Sequence, residues 1–308
     1  MSSRSLASLM AGESIERWGA AEASPLGEEH ERLLGWIRDG RSGSLAYMRE
    51  RSEILRDPGH PSFLEGARSV VMAALPFATA DPPVRSLASR VARHARGRDY
   101  HLVLGERLGR VLSDLRAVFP GLRGRVFVDS APVMEKAWAQ RAGLGWIGRS
   151  GLLVQPGLGT WFVLGGIAID VPLDPGSPCP DGCGECRACI DACPASAIGE
   201  DRLVDARLCL SAVTIERRSH LTADRARLLG GRSALGCDLC QEACPFNASP
   251  PRPDPGLEPL PSMIETTDAG FLALDPVARE ALLAPTAIAR TGAERLAECL
   301  AASIGRSR

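Results

Sequence analysis

The chain has 308 residues, a formal net charge of -1 at pH 7 and a hydrophobic share of 45%. That composition supports a sizeable core in one large domain with a smaller insert, and a charge so near zero argues against a protein that coats nucleic acid. The N-terminus, Met1-Ser-Ser-Arg-Ser-Leu6, has no basic stretch leading into a long apolar core, and the apolar runs Val70–Pro76 and Trp161–Ile169 are too short to span a bilayer. A cytoplasmic, reduced protein with no membrane role is expected.

In chain order, residues 1 to about 60 read as helical, with apolar side chains at helical spacing over Glu29–Ile37 and Leu45–Leu55. Ser69–Pro76 is a short apolar run of strand length, closed by proline. Arg85–Arg116 reads as a long basic amphipathic helix, interrupted at most at Gly97. Gly124–Asp129 is a second buried strand, followed by Ala131-Pro132 and a helix over Val133–Ala142. A tight glycine turn spans Gly143–Gly148. Leu152–Val154 and Trp161–Asp170 then read as two strands joined by the turn Pro156–Gly159. Proline-rich linkers at Val171–Pro180 and Asn247–Pro261 frame a cysteine-rich module, and a helical tail ends the chain. The expected division is an α/β (α+β) domain over 1–177, a cluster module over 178–250, and linker plus tail over 251–308.

Nine of the 10 cysteines lie between Cys179 and Cys244. Seven form two runs: Cys183-x2-Cys186-x2-Cys189-x3-Cys193-Pro194 and Cys237-x2-Cys240-x3-Cys244-Pro245. In ferredoxin-like runs of this spacing three thiolates wrap one [4Fe–4S] cube and the fourth crosses to the other. Crossed ligation assigns Cys183, Cys186, Cys189 and Cys244 to one cluster. The other takes Cys193, Cys237 and Cys240 and lacks a ligand, because Ala234 stands where a full second run would begin. Cys179, Cys209 and Cys299 remain. Cys209, between the runs, is the better candidate; Cys179 lies beside the cluster already complete, and Cys299 reads as a small buried thiol.

Zinc favours paired C-x2-C knuckles set a dozen or more residues apart, which the four-cysteine run is not. Disulfides belong to oxidising compartments. Gly143-x-Gly145-x-x-Gly148 has dinucleotide spacing but follows a helix and precedes a strand, the wrong order for that fingerprint.

With these motifs in view, the sequence resembles the epoxyqueuosine reductases, cobalamin-dependent iron–sulfur enzymes acting on tRNA. The resemblance runs from about Gly43 to Glu294. It is carried by Gly43–Met48, Arg98-Asp-Tyr-His101, Val128-Asp-Ser-Ala-Pro132 and Arg141–Gly148. The cysteine runs, Asp205–Ser211, Thr214-Ile-Glu216 and Gly236–Pro245 complete it. It implies a nitroreductase-like, reductive-dehalogenase-like cobalamin-binding domain, a ferredoxin-like module with two [4Fe–4S] clusters, and a short helical C-terminal tail. It also implies a cluster ligand at Cys209 and removal of the epoxide oxygen of epoxyqueuosine at the tRNA wobble position.

By the same resemblance Asp129 is the proton donor, and burial against the apolar corrin should raise its pKa. The competing role for Asp129 is a cap on the helix beginning near Val133. Arg56, Ala92, Leu153 and Leu164 match positions around the cobalamin, which Asp129 would also face, although a strand leucine is ordinarily core and Arg56 could be a solvated surface arginine; Ser211 and Asp238 would sit between cluster and corrin if the module docks there. Tyr100 and His101 could frame the pocket or be core. Arg217 is the candidate tRNA contact, with Arg218 beside it. The richest basic segment runs from Arg85 through Arg90, Arg93, His94, Arg96, Arg98 and Arg107 to Arg110, the kind of face phosphate contacts require. The electron donor implied is a low-potential protein such as ferredoxin or flavodoxin. The rival readings are a small-molecule cobalamin reductase and a simple ferredoxin-type carrier; the latter would have no use for the α/β domain or for Asp129.

Overall fold

The computed structural model describes residues 3–216, 221–229 and 233–304. Its centre is a four-stranded antiparallel sheet built from β1 (Arg17–Glu22), β2 (Ser69–Pro76), β3 (Gly124–Phe127) and β6 (Phe162–Ile169), in the order β1-β2-β6-β3. β2 and β6 are the inner pair, and nearly every residue of both is buried. A strand covered on both faces cannot alternate apolar with polar, which is why these two read as continuous apolar runs. On one face lie the helices Ser3–Gly12 and Tyr100–Val118, the latter contributing Leu104, Leu108, Val111 and Leu115. On the other lie Leu26, Phe63 and the helix Glu135–Arg141, with Trp138 fully buried. β4 (Trp146–Ile147) and β5 (Leu153–Val154) form a separate two-stranded ribbon.

The structure corrects three expectations. Residues 1–60 are not all helical: β1 pairs along its whole length with β2, a tertiary partner that its short mixed sequence does not announce. The two strands expected as a hairpin around Pro156–Gly159 belong to different sheets, and the loop between them holds an isolated bridge between Gln155 and Gly159. The long helix expected over Arg85–Arg116 is instead two single turns, Leu87–Arg90 and Arg93–Ala95, followed by Tyr100–Val118. Between the turns Val91 bridges to Leu235, and the Ala92 N–H donates to the Leu235 carbonyl at 2.8 Å. Gly97 lies against the Leu257 carbonyl, where a Cβ would come within 2.5 Å. Long-range pairing and that close approach override local helix preference.

The break also removes the continuous basic face. Arg90 and Arg96 are buried. Arg93 donates to the Thr79 carbonyl and Asp81, Arg107 makes a two-pronged ion pair with buried Asp254 at 2.6 and 2.7 Å, and Arg110 is held by Glu13. Arg85 and Arg98 remain exposed.

The segment after residue 251 is built into the body. Met263, Phe271, Leu283, Ile288, Leu296, Cys299 and Leu300 share an apolar cluster with Leu87, Val91, Ala95 and Leu235. Asp99 N–H donates to the Pro285 carbonyl at 2.8 Å. No helix among the described residues is long and apolar enough to cross a membrane.

Candidate functional site

The two cysteine runs adopt matching local structures: each places a short helix, Ala188–Asp191 or Leu239–Glu242, inside its loop, and the two helices pack together. Cys209 stands at the N-terminus of the helix Leu210–Ile215. The thiols fall into two electrostatic groups. Burial raises Cys189 above the usual thiol range, and Cys244, Cys183 and Cys186 raise it further. Burial likewise pushes Cys237 up to about 11, with Asp238, Cys209 and Cys193 adding to it, and it raises Cys240 beside Cys237 and Cys209. Cys209 is thus a neighbour of Cys237 and Cys240, while Cys189 neighbours Cys183, Cys186 and Cys244. Cys240 also feels Cys189, which puts the two groups side by side. Cys179 instead donates its thiol to the Gly143 carbonyl at 3.2 Å. Cys299 is fully buried and its thiol is pushed up to about 11 by that burial.

The glycine turn has a structural reason that is not dinucleotide binding. Trp146 Nε1–H donates to Cys183 Sγ at 3.3 Å. A Cβ on Gly148 would lie 3.2 Å from that sulfur and 2.9 Å from Val154 Cγ2. The turn therefore carries backbone close to the first thiol group and aims an N–H donor at a sulfur, one of the levers on a cluster's potential. Buried Asn247 ties the module to the sheet domain: Thr160 N–H donates to its Oδ1 at 2.7 Å, and its Nδ2 donates to Thr160 Oγ1 and the Gln241 carbonyl.

Asp129 follows β3 with φ of +54°, a left-handed conformation that aspartate tolerates better than most residues. Its N–H donates to Glu135 Oε1 at 2.5 Å, and its carboxylate opens onto a cavity of about 310 Å³. His94, Tyr100, His101, Ser211, Glu216 and Arg290 are among the residues around that space. Asp129 does not cap the following helix, whose N-cap residue is Met134. Nor is its pKa raised as expected. Surrounding protein pushes it up, but His101, whose Nε2 lies 3.1 Å from Oδ2, outweighs this with help from His94 and the Tyr100 hydroxyl, leaving it below the usual carboxylate range. Glu135 carries the opposite shift: burial, reinforced by the Asp129 charge, pushes it up to about 8.

A second, wider cavity of about 930 Å³ is lined by Arg85, Arg90, Ala92, Arg96, Leu210, Cys237, Asp238 and Asp268, among others. The stretch Ala92–Ala95 and the pair Leu210–Ser211 contribute walls to one cavity or the other. Of the expected cofactor residues, Ala92 and Asp238 line the wide cavity, while Ser211 and Asp129 line the narrow one. Asp238 is engaged, accepting the Arg93 N–H at 2.7 Å and Gln241 Nε2 at 3.1 Å. Arg56, Leu153 and Leu164 line neither: Arg56 is half-exposed beside Glu53, Leu153 is buried in β5, and Leu164 packs on the core from β6. Arg217 and Arg218 lie outside the described residues. Asp99, Glu135 and Arg290 were not singled out in advance. Asp99 carries a legible signal, a helix N-cap accepting the His101 N–H at 3.0 Å, whereas Arg290 reaches the site only through the tail's packing.

A family profile described as "4Fe-4S double cluster binding domain" matches residues 182–247, and one described as "Epoxyqueuosine reductase QueG, DUF1730" matches residues 60–130. An epoxyqueuosine reductase of Gloeobacter violaceus is 41% identical over 232 residues, which are 74% of this chain and 71% of that protein. A solved epoxyqueuosine reductase, in complex with an epoxyqueuosine-modified tRNA-Tyr stem loop, matches with a TM-score of 0.89 at 24% identity, covering 98% of this chain and 80% of the other. The catabolic reductive dehalogenase NpRdhA shares the fold more distantly, with a TM-score of 0.50 at 16% identity, covering 95% of this chain and 37% of the other.

Proposed function

The chain belongs to the epoxyqueuosine reductases, and on that premise we propose that it removes the epoxide oxygen of epoxyqueuosine at the wobble position of tRNA, with Asp129 donating a proton to the departing oxygen. The observation that carries the proposal is the Asp129 carboxylate, held in a left-handed turn and lining the same cavity as Ser211, two residues beyond Cys209. Electrons collected in the cysteine module and a proton held by the sheet domain meet there. The substrate follows from the relative solved with a modified tRNA stem loop, and Arg217 is proposed as a contact to that RNA.

The chain contains a double-cluster [4Fe–4S] domain. Its ligands are proposed as Cys183, Cys186, Cys189 and Cys244 for one cube and Cys193, Cys209, Cys237 and Cys240 for the other. The matched span includes Cys209 and leaves out Cys179 and Cys299, in keeping with the thiol neighbourhoods. Residues 1–177 would form the catalytic domain, 178–250 the electron relay and 251–308 the linker and tail. A ferredoxin or flavodoxin in the cytoplasm would supply the electrons.

Cobalamin is the group the family implies. The wide cavity fits it: Arg96 Nη1 and Asp268 Oδ1 are buried polar atoms without hydrogen-bond partners, and the amide-bearing rim of a corrin offers both acceptors and donors. Ala92 would supply an apolar wall, and Asp238 and Ser211 would stand between cofactor and clusters. Arg56, Leu153 and Leu164 remain proposed contacts by resemblance. When bound, reduced cobalt supplies a strong nucleophile and electron donor that no side chain offers. The chain's own part is to hold the nucleotide, narrow the cavity against water and place the Asp129 carboxyl at the breaking C–O bond.

Anaerobic reconstitution with iron, sulfide and cobalamin, followed by incubation with epoxyqueuosine-containing tRNA and nucleoside mass analysis, tests the proposal. Queuosine should accumulate; an iron-loaded protein that binds no cobalamin and makes none would refute it. Cys209→Ala should lose part of the iron while Cys179→Ala keeps it all, and the reverse would reassign the eighth ligand.

A further inference from the structure

His101 stands between two carboxylates. Its Nδ1 lies 2.5 Å from Asp99 Oδ1 and its Nε2 lies 3.1 Å from Asp129 Oδ2. The imidazole and Asp99 are both buried, which shields their contact from water, whereas the Asp129 carboxylate is exposed towards the cavity. A neutral imidazole offers one N–H and one lone pair, whereas an ionised carboxylate only accepts. Satisfying both contacts therefore requires one proton more than a neutral histidine between two ionised carboxylates. Asp99 is not the place for it: that carboxylate already accepts the His101 backbone N–H at 3.0 Å and Arg290 Nε at 3.3 Å. The extra proton belongs in the bond between His101 Nε2 and Asp129 Oδ2.

We propose that His101 is a positioning residue that stores the proton Asp129 delivers, with Asp99 and Arg290 fixing its tautomer. This rests on the reading of Asp129 as proton donor. In the transfer the Nε2–H bond breaks as an Oδ2–H bond forms, and that O–H bond breaks in turn as the proton passes to the departing epoxide oxygen. No electron moves in either transfer. Loss of the oxygen as water consumes two protons and two electrons in all; the electrons come from the enzyme's low-potential donor, one proton from this store and the second from solvent in the cavity. His101 is left neutral, its Nδ1–H still on Asp99 and its Nε2 lone pair facing Asp129, ready to be refilled.

The charged and titratable groups around the pair come from every neighbouring element. His94 lies edge-on to Tyr100, whose ring stacks on His101 with centroids 4.1 Å apart. Glu135 and Lys136 lie beside Asp129, Tyr47 and Glu216 face it, and Arg290 reaches in from the tail. Glu216 has an interaction of its own.

The test uses the full chain loaded with clusters and cobalamin and carrying [15N]histidine. At neutral pH the wild type should show His101 with both ring nitrogens protonated, and Asp129→Asn should convert it to a single neutral tautomer. His101→Gln, which retains an N–H donor but cannot carry the proton, should lower single-turnover queuosine formation by about 100-fold. It should also remove a limb of the pH profile and leave KM for tRNA and cofactor content unchanged. Imidazole added to His101→Ala should restore part of the rate. A neutral His101 in an active wild type, or a His101→Gln enzyme with wild-type rate and pH profile, overturns the store alone. A wild type that makes no queuosine overturns the reading it rests on.

Discussion

The two cavities flank one wall yet are built on opposite principles. The narrow one concentrates ionisable groups that touch one another: Asp99, His101, Asp129 and Tyr100 form a continuous hydrogen-bonded chain, with Glu135 on the Asp129 backbone. The wide one spreads its charged residues around three times the volume and leaves buried polar atoms unpaired. A satisfied network fixes where a proton resides; unsatisfied buried donors and acceptors cost free energy until something binds. On the proposed reading one space would serve proton transfer and the other would retain the cofactor.

Substitutions can separate these roles. The largest effect expected is that of Asp129→Asn, which keeps size and should lower turnover by about 100- to 10,000-fold while iron and cobalamin content stay at wild-type levels. Unchanged turnover would take Asp129 out of the chemistry. Next, Arg96→Gln should weaken cobalamin binding by about 10- to 100-fold, the range for losing a hydrogen bond from a charged donor, without changing iron content. Equilibrium binding followed by absorbance decides it, and undiminished affinity would mean that the wide cavity does not hold the cofactor through Arg96.

The smallest effect is on stability. The Glu135 carboxyl is raised from 4.5 to about 8 in the folded chain, so folding retains a proton that the unfolded chain releases. Its contribution is full below about 4.5 and is lost as pH rises through about 8. Denaturant unfolding of the wild type should therefore weaken across that interval, and Glu135→Gln should flatten the slope. An identical slope would show that Glu135 is ionised throughout.

The double-cluster module was legible because a cluster demands thiolates at short, regular spacings, and the matched domain spans both cysteine runs. The inner strands β2 and β6 were legible because full burial leaves a run of apolar residues. Three features were not. β1 depends on its partner β2. Arg90 and Arg96 read as part of a solvated basic helix, but the bridge between Val91 and Leu235 folds them inward. Arg290 lies 191 residues from Asp99, and only the tail's packing brings them together.

The behaviour of Asp129 shows the same boundary most sharply. A motif can name the acid, since VDSAP places an aspartate just past a strand. Whether that acid is raised or lowered depends on what stands beside it, and His101 reaches it across 28 positions of chain. The amino-acid sequence by itself determined the chemical inventory: the thiolates, the carboxylate and the apolar strands that carry them, because residue type and local spacing suffice for those. Tertiary structure alone decided which charges face one another, because electrostatic interaction falls with distance through space and takes no account of separation along the chain.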